Sequence, residues 1–458
     1  MSVSPVPSVA YWAMNDPALG QGERLAALDE YLAECLVAGP DFPDFIGESN
    51  NHIHTVYSFS PYTPTFAALR GRMAGLPVVG SVDHDSYKAA PEMSGACKRL
   101  GMGAITGFEI RAFIHSHDER RAGTGAFEAR KINNPDSYGV AYLTVQGVPA
   151  RASNEVEAFL EPVRKARYER TEKMAARANE ILEGFSIATF DWQRDVVERS
   201  QYSNGGSITE RHLLAAMARA LISGFGRGQQ LLDALGNKLG MNVPAALRQT
   251  LADPENPYLD YDLLGILKSE YLDRIYIQPT DELYTAAEVV RFADSIGAVA
   301  AYPYLGDVTA SATGDKKAEK FEDEFLEDLL DYLVQIGFRA VTYMPTRNTP
   351  EQMARISALA AERGLLQVSG VDINQPRQTF NCPQLQDPAN AHLNTTTWAL
   401  VAHEALSNVD HTLSILGQGN PIENLDTRLE TYARLGHALA IGETDVADCV
   451  EELGKLKA

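Results

Sequence analysis

Two parts of the chain show short apolar runs alternating with amphipathic stretches, and between them the periodicity changes. The runs at 76–82, 104–110, 138–145, 298–302, 338–343 and 366–371 are short and bounded by turn or helix signals, so each predicts a strand. A further strand is expected to lead into His52-Ile53-His54, which makes seven. Stretches at 65–75, 91–100, 285–296 and 349–364 predict helices. The last of these opens with a threonine cap at Thr349, Pro350 in the first turn and Gln352 at the third helical position. Strands alternating with helices predict βα units and a largely parallel sheet.

From 155 to 275 strand signals give way to helical ones. The charged stretch 155–182 predicts a long helix, and Ser207-Ile208-Thr209-Glu210 reads as a capping box for a helix ending near 222. His212 falls in its first turn, where a structural role is expected. The chain thus divides into an N-terminal extension (1–46), a first barrel segment (47–150), a helical insertion (151–284), a second barrel segment (285–380) and a helical tail (381–458). The extension carries one helix, 22–35, and docking anchors at Trp12, Phe42 and Phe45. The tail, with helices at 395–406 and 425–440, is expected to pack back against the barrel and to offer a homo-oligomer contact. The charged, glycine-containing stretch 118–135 reads as a loop over the site, and the acidic stretch 315–336 as a solvated face.

Chemistry gathers where the predicted strands end. His52 and His54 stand at i and i+2, so on a strand their imidazoles face the same way. The next strand delivers Asp83-His84-Asp85, the third Glu109, and the seventh Asp372. Neutral imidazoles and carboxylates are ligands for zinc, manganese or iron(II), and catalytic groups of closed β/α architectures lie at that end of the strands. Asp83 and Asp85 are expected to orient the ligands. Lys88, Arg111, Arg347 and Arg377 also follow strand ends. In a chain with 61 acidic and 40 basic residues, such cations suggest recognition of phosphate or carboxylate.

The formal charge of −21 disfavours adhesion to a nucleic-acid polymer or an anionic membrane, while leaving room for a small anionic substrate. No run reaches the length of a membrane span, and Met1 to Tyr11 lacks the pattern of a secretory leader. Four scattered cysteines, Cys35, Cys97, Cys382 and Cys449, fit a reducing compartment, so a cytoplasmic location is expected. Five of the ten histidines lie between 52 and 117; they include His115 and His117, candidate substitute ligands or acid–base groups.

Together these motifs resemble the PHP (polymerase and histidinol phosphatase) superfamily of metal-dependent phosphoesterases. The matching residues are His52-Ile53-His54-Thr55 with Tyr57-Ser58, Val82-Asp83-His84-Asp85, Gly107-Phe108-Glu109-Ile110 and, in part, Gly370-Val371-Asp372-Ile373-Asn374. The resemblance spans about 47–150 and 285–376. It implies a distorted seven-stranded β/α barrel capped by the helical insertion, and hydrolysis of a small phosphorylated metabolite or nucleotide by metal-activated water. It also implies a first metal on His52, His54, Glu109 and Asp372, with His84 as a further candidate ligand or catalytic group. At the usual positions of other ligands this chain has Phe59, Tyr142, Tyr302 and Asn374. Tyr142 and Tyr302 are then expected to hydrogen-bond substrate or water, and Asn374 to contact substrate. One strongly held divalent ion is expected, with a second if His84, His115 or His117 is recruited. The alternatives are a catalytically altered metal-binding protein with a binding or regulatory role, and a hydrolase of a non-phosphate bond.

Overall fold

The computed structural model describes residues 8–38, 42–308 and 320–455. Its centre is a curled mixed sheet with strands β1 (Asn50–Ile53), β2 (Val78–His84), β3 (Gly103–Phe113), β4 (Val140–Gln146), β5 (Tyr284–Thr285), β6 (Val299–Tyr304), β7 (Ala340–Tyr343) and β8 (Leu366–Ser369). The order is β1-β2-β3-β4-β6-β7-β8, with the two-residue β5 attached to β3 off this path. The two edges of the sheet meet at a parallel bridge between Ile53 and Ile373. There the His54 N–H donates to the Ile373 carbonyl at 2.9 Å, and the Ile373 N–H donates to the His52 carbonyl at 3.1 Å. The architecture is the distorted PHP-like α/β barrel that the motifs led us to expect.

Gly370 makes that closure possible. A Cβ at this position would lie 2.6 Å from the His52 Cβ and 3.0 Å from its backbone nitrogen. Only glycine lets the chain after β8 come so near β1, and Asp372 follows two residues later.

One strand departs from expectation. β4 runs antiparallel to both β3 and β6, while the other neighbouring pairs are parallel. It therefore brings the start of the strand, near Tyr142, to the level where its neighbours end. Alternation decides which side chains enter the barrel. Phe108, Ile110, Ala141, Leu143, Ala300, Tyr302 and Tyr304 join the apolar layer between sheet and outer helices. Glu109, Arg111, Tyr142 and Thr144 take the opposite face.

The far end is closed by the Ala391–Val409 helix. Ala399, Leu400, Ala402 and Leu406 pack on Val78, Ile105, Val299, Leu366 and Val368. Buried polar contacts set its rotation: Asn51 Nδ2 donates to Thr397 Oγ1 at 2.8 Å, and the Thr106 N–H donates to Glu404 Oε2 at 2.7 Å. His403 accepts from the Ile415 N–H through Nδ1 and donates through Nε2 to the Gly147 carbonyl.

Residues 153–275 are helical, in five main segments: Ser153–Gly184, Glu210–Phe225, Gln229–Asn237, Ala245–Ala252 and Leu259–Ile275. They share an apolar core around Met174, Leu182, Leu213, Leu221, Leu263 and Leu267. The cap of the Glu210–Phe225 helix is Thr209 rather than Ser207, with His212 instead of Glu210 as its partner: His212 Nδ1 accepts from the Thr209 N–H at 3.0 Å. The stretch 118–135 is not all loop, for the His117–Ala122 helix opens it, capped by Ser116 and Glu119. Of the acidic stretch 315–336, residues 315–319 lie outside the described part, and Leu326–Gln335 is a helix with Leu326, Leu329, Leu330 and Leu333 buried. No helix of the described residues is long and apolar enough to cross a membrane.

Candidate metal centre

Where β1, β2, β3 and the chain after β8 end, five side chains converge. His54 Nε2 lies 3.4 Å from Asp372 Oδ1 and 3.9 Å from Glu109 Oε2. His52 Nε2 lies 3.8 Å from Glu109 Oε1, and His84 Nδ1 lies 2.8 Å from Glu109 Oε2. Two overlapping triads, His52-His54-Asp372 and His54-His84-Glu109, each have their donor atoms within 4.8 Å of one another. Ligands at about 2.1 Å in tetrahedral arrangement stand about 3.4 Å apart, close to these separations.

Charge and hydrogen bonding agree with a cation here. Burial, followed by the neighbouring His84 charge, pushes His54 down to about 3; burial and Arg167 do the same for His84. Both imidazoles are therefore neutral near pH 7, as ligands must be. Burial also raises Glu109, because its ionised form has lost its water. Ionised, Glu109 and Asp372 would bring two negative charges to a site whose imidazoles supply none, and a cation between them would offset the burial that opposes ionisation of Glu109. A divalent ion matches that deficit, so the residues fit the metal.

The ring of His54 is held from behind. Its Nδ1 lies 3.5 Å from Ser58 Oγ, which donates to Asp83 Oδ1 at 2.7 Å. Asp83 also accepts from the backbone N–H and the hydroxyl of Thr55, both at 2.6 Å. A proton on Nδ1 continues this chain and leaves the Nε2 lone pair facing Glu109 and Asp372. Asp85 serves elsewhere: its carboxylate pairs with Arg167 Nη1 at 2.6 Å.

A cavity of about 410 Å³ lies over the cluster, walled by the barrel mouth and the helical insertion. His52, His84, Glu109 and Asp372 form part of its wall, together with Tyr142, Asn374 and Arg347. Tyr142 stands beside His84 with ring centres 5.6 Å apart, and burial keeps its hydroxyl protonated. Asn374 Nδ2 donates to Asp372 Oδ1 at 2.6 Å. The Arg347 Nε donates to the Leu305 carbonyl at 3.2 Å.

Other expected site residues lie apart from the cluster. Tyr302 faces the outer helices, its hydroxyl donating to Glu322 Oε1 at 3.2 Å. The expectation that put it in the barrel took the wrong face of β6: Ala301 is paired with the inward Thr144, so Tyr302 must point away. His115 is buried against Phe127 and Tyr332, and its Nε2 accepts from the Phe127 N–H at 2.9 Å. His117 is exposed near Glu288. Neither lines the cavity. Arg111 is bound by Glu210 and Glu282, Lys88 pairs with Glu157 at 3.2 Å, and Arg377 pairs with Asp262 at 2.9 Å. Phe59 lies edge-on to the His212 ring and near Tyr261, so insertion contacts occupy its side chain.

Sequence reading missed the cavity wall supplied by the insertion. Arg167, Glu210, Arg211, Gly265 and Lys268 all line it. One available signal was the spacing of Arg164, Arg167 and Arg170 on a single helix face, where all three are buried.

No family model and no curated protein matches the chain. Among solved structures it is similar to one from Bifidobacterium adolescentis, described as a candidate metal-dependent phosphoesterase. The two share 18% identity, with 77% of this chain and 98% of that chain covered and a TM-score of 0.46. It is also similar to an amidohydrolase from Chromobacterium violaceum with bound sulfate and no metal, at 17% identity, covering 73% of this chain and 90% of that one with a TM-score of 0.45. By its own topology and strand-end residues, this chain is a PHP-like α/β barrel with an incomplete set of metal ligands.

Proposed function

We propose that the protein is a metal-dependent hydrolase whose substrate is a small phosphoester. The observation that carries this reading is the meeting of His52, His54, His84, Glu109 and Asp372, all but His54 lining one cavity between barrel mouth and insertion. His52, His54, Glu109 and Asp372 would hold one ion strongly. When bound, a divalent ion there supplies Lewis acidity toward a substrate oxygen and acidifies nearby water.

The chain's own groups supply the rest. The Ser58–Asp83 pair orients His54, and Tyr142 offers a protonated hydroxyl at the cavity wall. Lys268 and Arg347 bring cations to the same cavity, beside the carboxylates of Asp136 and Asp273, and offer N–H donors to a substrate's oxygens. The insertion supplies the wall of the cavity opposite the barrel mouth, with Arg211, Gly265 and Lys268.

Incubating protein loaded with manganese or zinc with phosphomonoesters and phosphodiesters, and measuring released phosphate or alcohol, tests this reading. Turnover that disappears in His54→Ala supports it. Absence of turnover across the panel by protein that holds metal favours a catalytically altered binding protein instead. Phe59, spent on packing, and Tyr302, turned outward, are the observations that keep that second reading in view.

A further inference from the structure

One cation at the cavity wall stands apart from the ion pairs that tie the barrel to the insertion. Three carboxylates, Asp85, Glu210 and Glu282, and three guanidiniums, Arg111, Arg167 and Arg170, form one buried network joining barrel and insertion. Three negative charges against three positive charges leave it neutral. Arg211, next in sequence to Glu210, stands outside it: among the described residues it makes no ion pair. It lines the cavity, and its Nη1 donates to Asn374 Oδ1 at 2.9 Å. The same Asn374 side chain donates through Nδ2 to Asp372 Oδ1 at 2.6 Å. Asn374 thus fixes a guanidinium of the insertion at a set position beside a carboxylate of the candidate metal centre.

We infer that Arg211 is an oxyanion clamp of this site, held by Asn374 so that its remaining N–H groups face a phosphoryl group placed at the metal centre. This rests on the hydrolase reading above and deepens it. A guanidinium has five N–H donors in a planar fork, and one hydrogen bond to Asn374 leaves most of them for a ligand. Glu109 and Asp372 together balance one divalent ion, so with the ion bound the cluster is neutral and Arg211 is a net positive charge beside it. That arrangement draws an anion to the cavity and presents donors to its oxygens. Asn374 is then a positioning residue, since it acts through Arg211 and Asp372.

The test is calorimetric titration of inorganic phosphate into wild-type protein, Arg211→Met and Arg211→Lys, with and without bound manganese. Manganese affinity is measured separately for each. Arg211→Met is expected to weaken phosphate binding about tenfold or more while leaving manganese affinity within about twofold, as loss of a charged hydrogen bond implies. Arg211→Lys is expected to fall between, because a point charge lacks the planar fork. Far-ultraviolet circular dichroism confirms that each variant is folded. Equal phosphate affinity for wild type and Arg211→Met, with and without manganese, would overturn the clamp. Failure of wild-type protein to bind manganese would count against the hydrolase reading alone, and the metal-free titrations would then decide the role of Arg211.

Discussion

Arg167 Nη1, from the long helix of the insertion, donates to Asp85 Oδ2 at the end of β2 at 2.6 Å, and both side chains are buried. Asp85 holds a left-handed backbone conformation with φ of 52°, uncommon outside glycine but better tolerated by aspartate than by most residues. Arg167 also reaches Glu210 through Nη2 at 2.6 Å, so one guanidinium joins a barrel strand end to two helices of the insertion. Removing one member of a buried ion pair leaves the other charged and unpaired. Arg167→Met should therefore lower unfolding free energy by about 3–5 kcal/mol, measured by urea denaturation. A loss below about 1 kcal/mol would mean that the network does not anchor the insertion.

Asp83 makes no direct contact with the candidate ligand atoms, yet it ends the hydrogen-bond chain behind His54. Asp83→Ala should weaken divalent-metal binding about 10–100-fold, the usual effect of losing such an orienting group. A competition titration with a chelating dye measures it. Unchanged affinity would show that the His54 ring needs no support from this side.

Much of this site was legible because its ligands sit beside strand ends in a local pattern. The His52–His54 spacing, the Asp83-His84-Asp85 run and Glu109 each lie at or near the end of a short apolar stretch, where alternation and β/α topology place them. Tyr302 was harder, because the direction of β4 and the register of β6 decide its facing, and both arise from pairing between distant segments. The two-residue β5 was too short to leave a pattern. Arg211 was not legible either. Its partner Asn374 lies 163 positions away, and the tertiary packing of the insertion alone brings them together.

Glu404 gives a pH signature remote from the metal centre. Burial raises its carboxyl to about 8, against the pull of hydrogen bonds from the Thr106 N–H and hydroxyl. Its folded-state pKa exceeds the unfolded value, so this contribution to stability is complete below about pH 4.5 and lost as pH rises through 8. Glu404→Gln removes the titration, and the Thr106 hydroxyl can turn to accept from the new amide. Urea midpoints taken from pH 5 to 9 should fall more steeply with pH for wild type than for the variant. Parallel curves would contradict the assignment.

Gly265 lies in the Leu259–Ile275 helix where that helix walls the cavity, and a Cβ there would meet nothing within 4 Å. Glycine inside a helix costs roughly 0.5–1 kcal/mol relative to alanine, so Gly265→Ala should raise thermal stability. The longer Gly265→Leu should reach into the cavity, raising KM for bulky substrates while phosphate binding stays near wild type. A rise in phosphate Kd equal to the rise in KM would place this wall at the anion site instead.

The most direct test of the metal centre is the divalent-ion content of purified protein, read by elemental analysis after dialysis against a single metal. The account predicts one tightly held ion per chain, retained in His115→Ala and lost in both His54→Ala and Asp372→Ala. Wild-type protein that holds no ion, or a His54→Ala variant that holds as much as wild type, would contradict it.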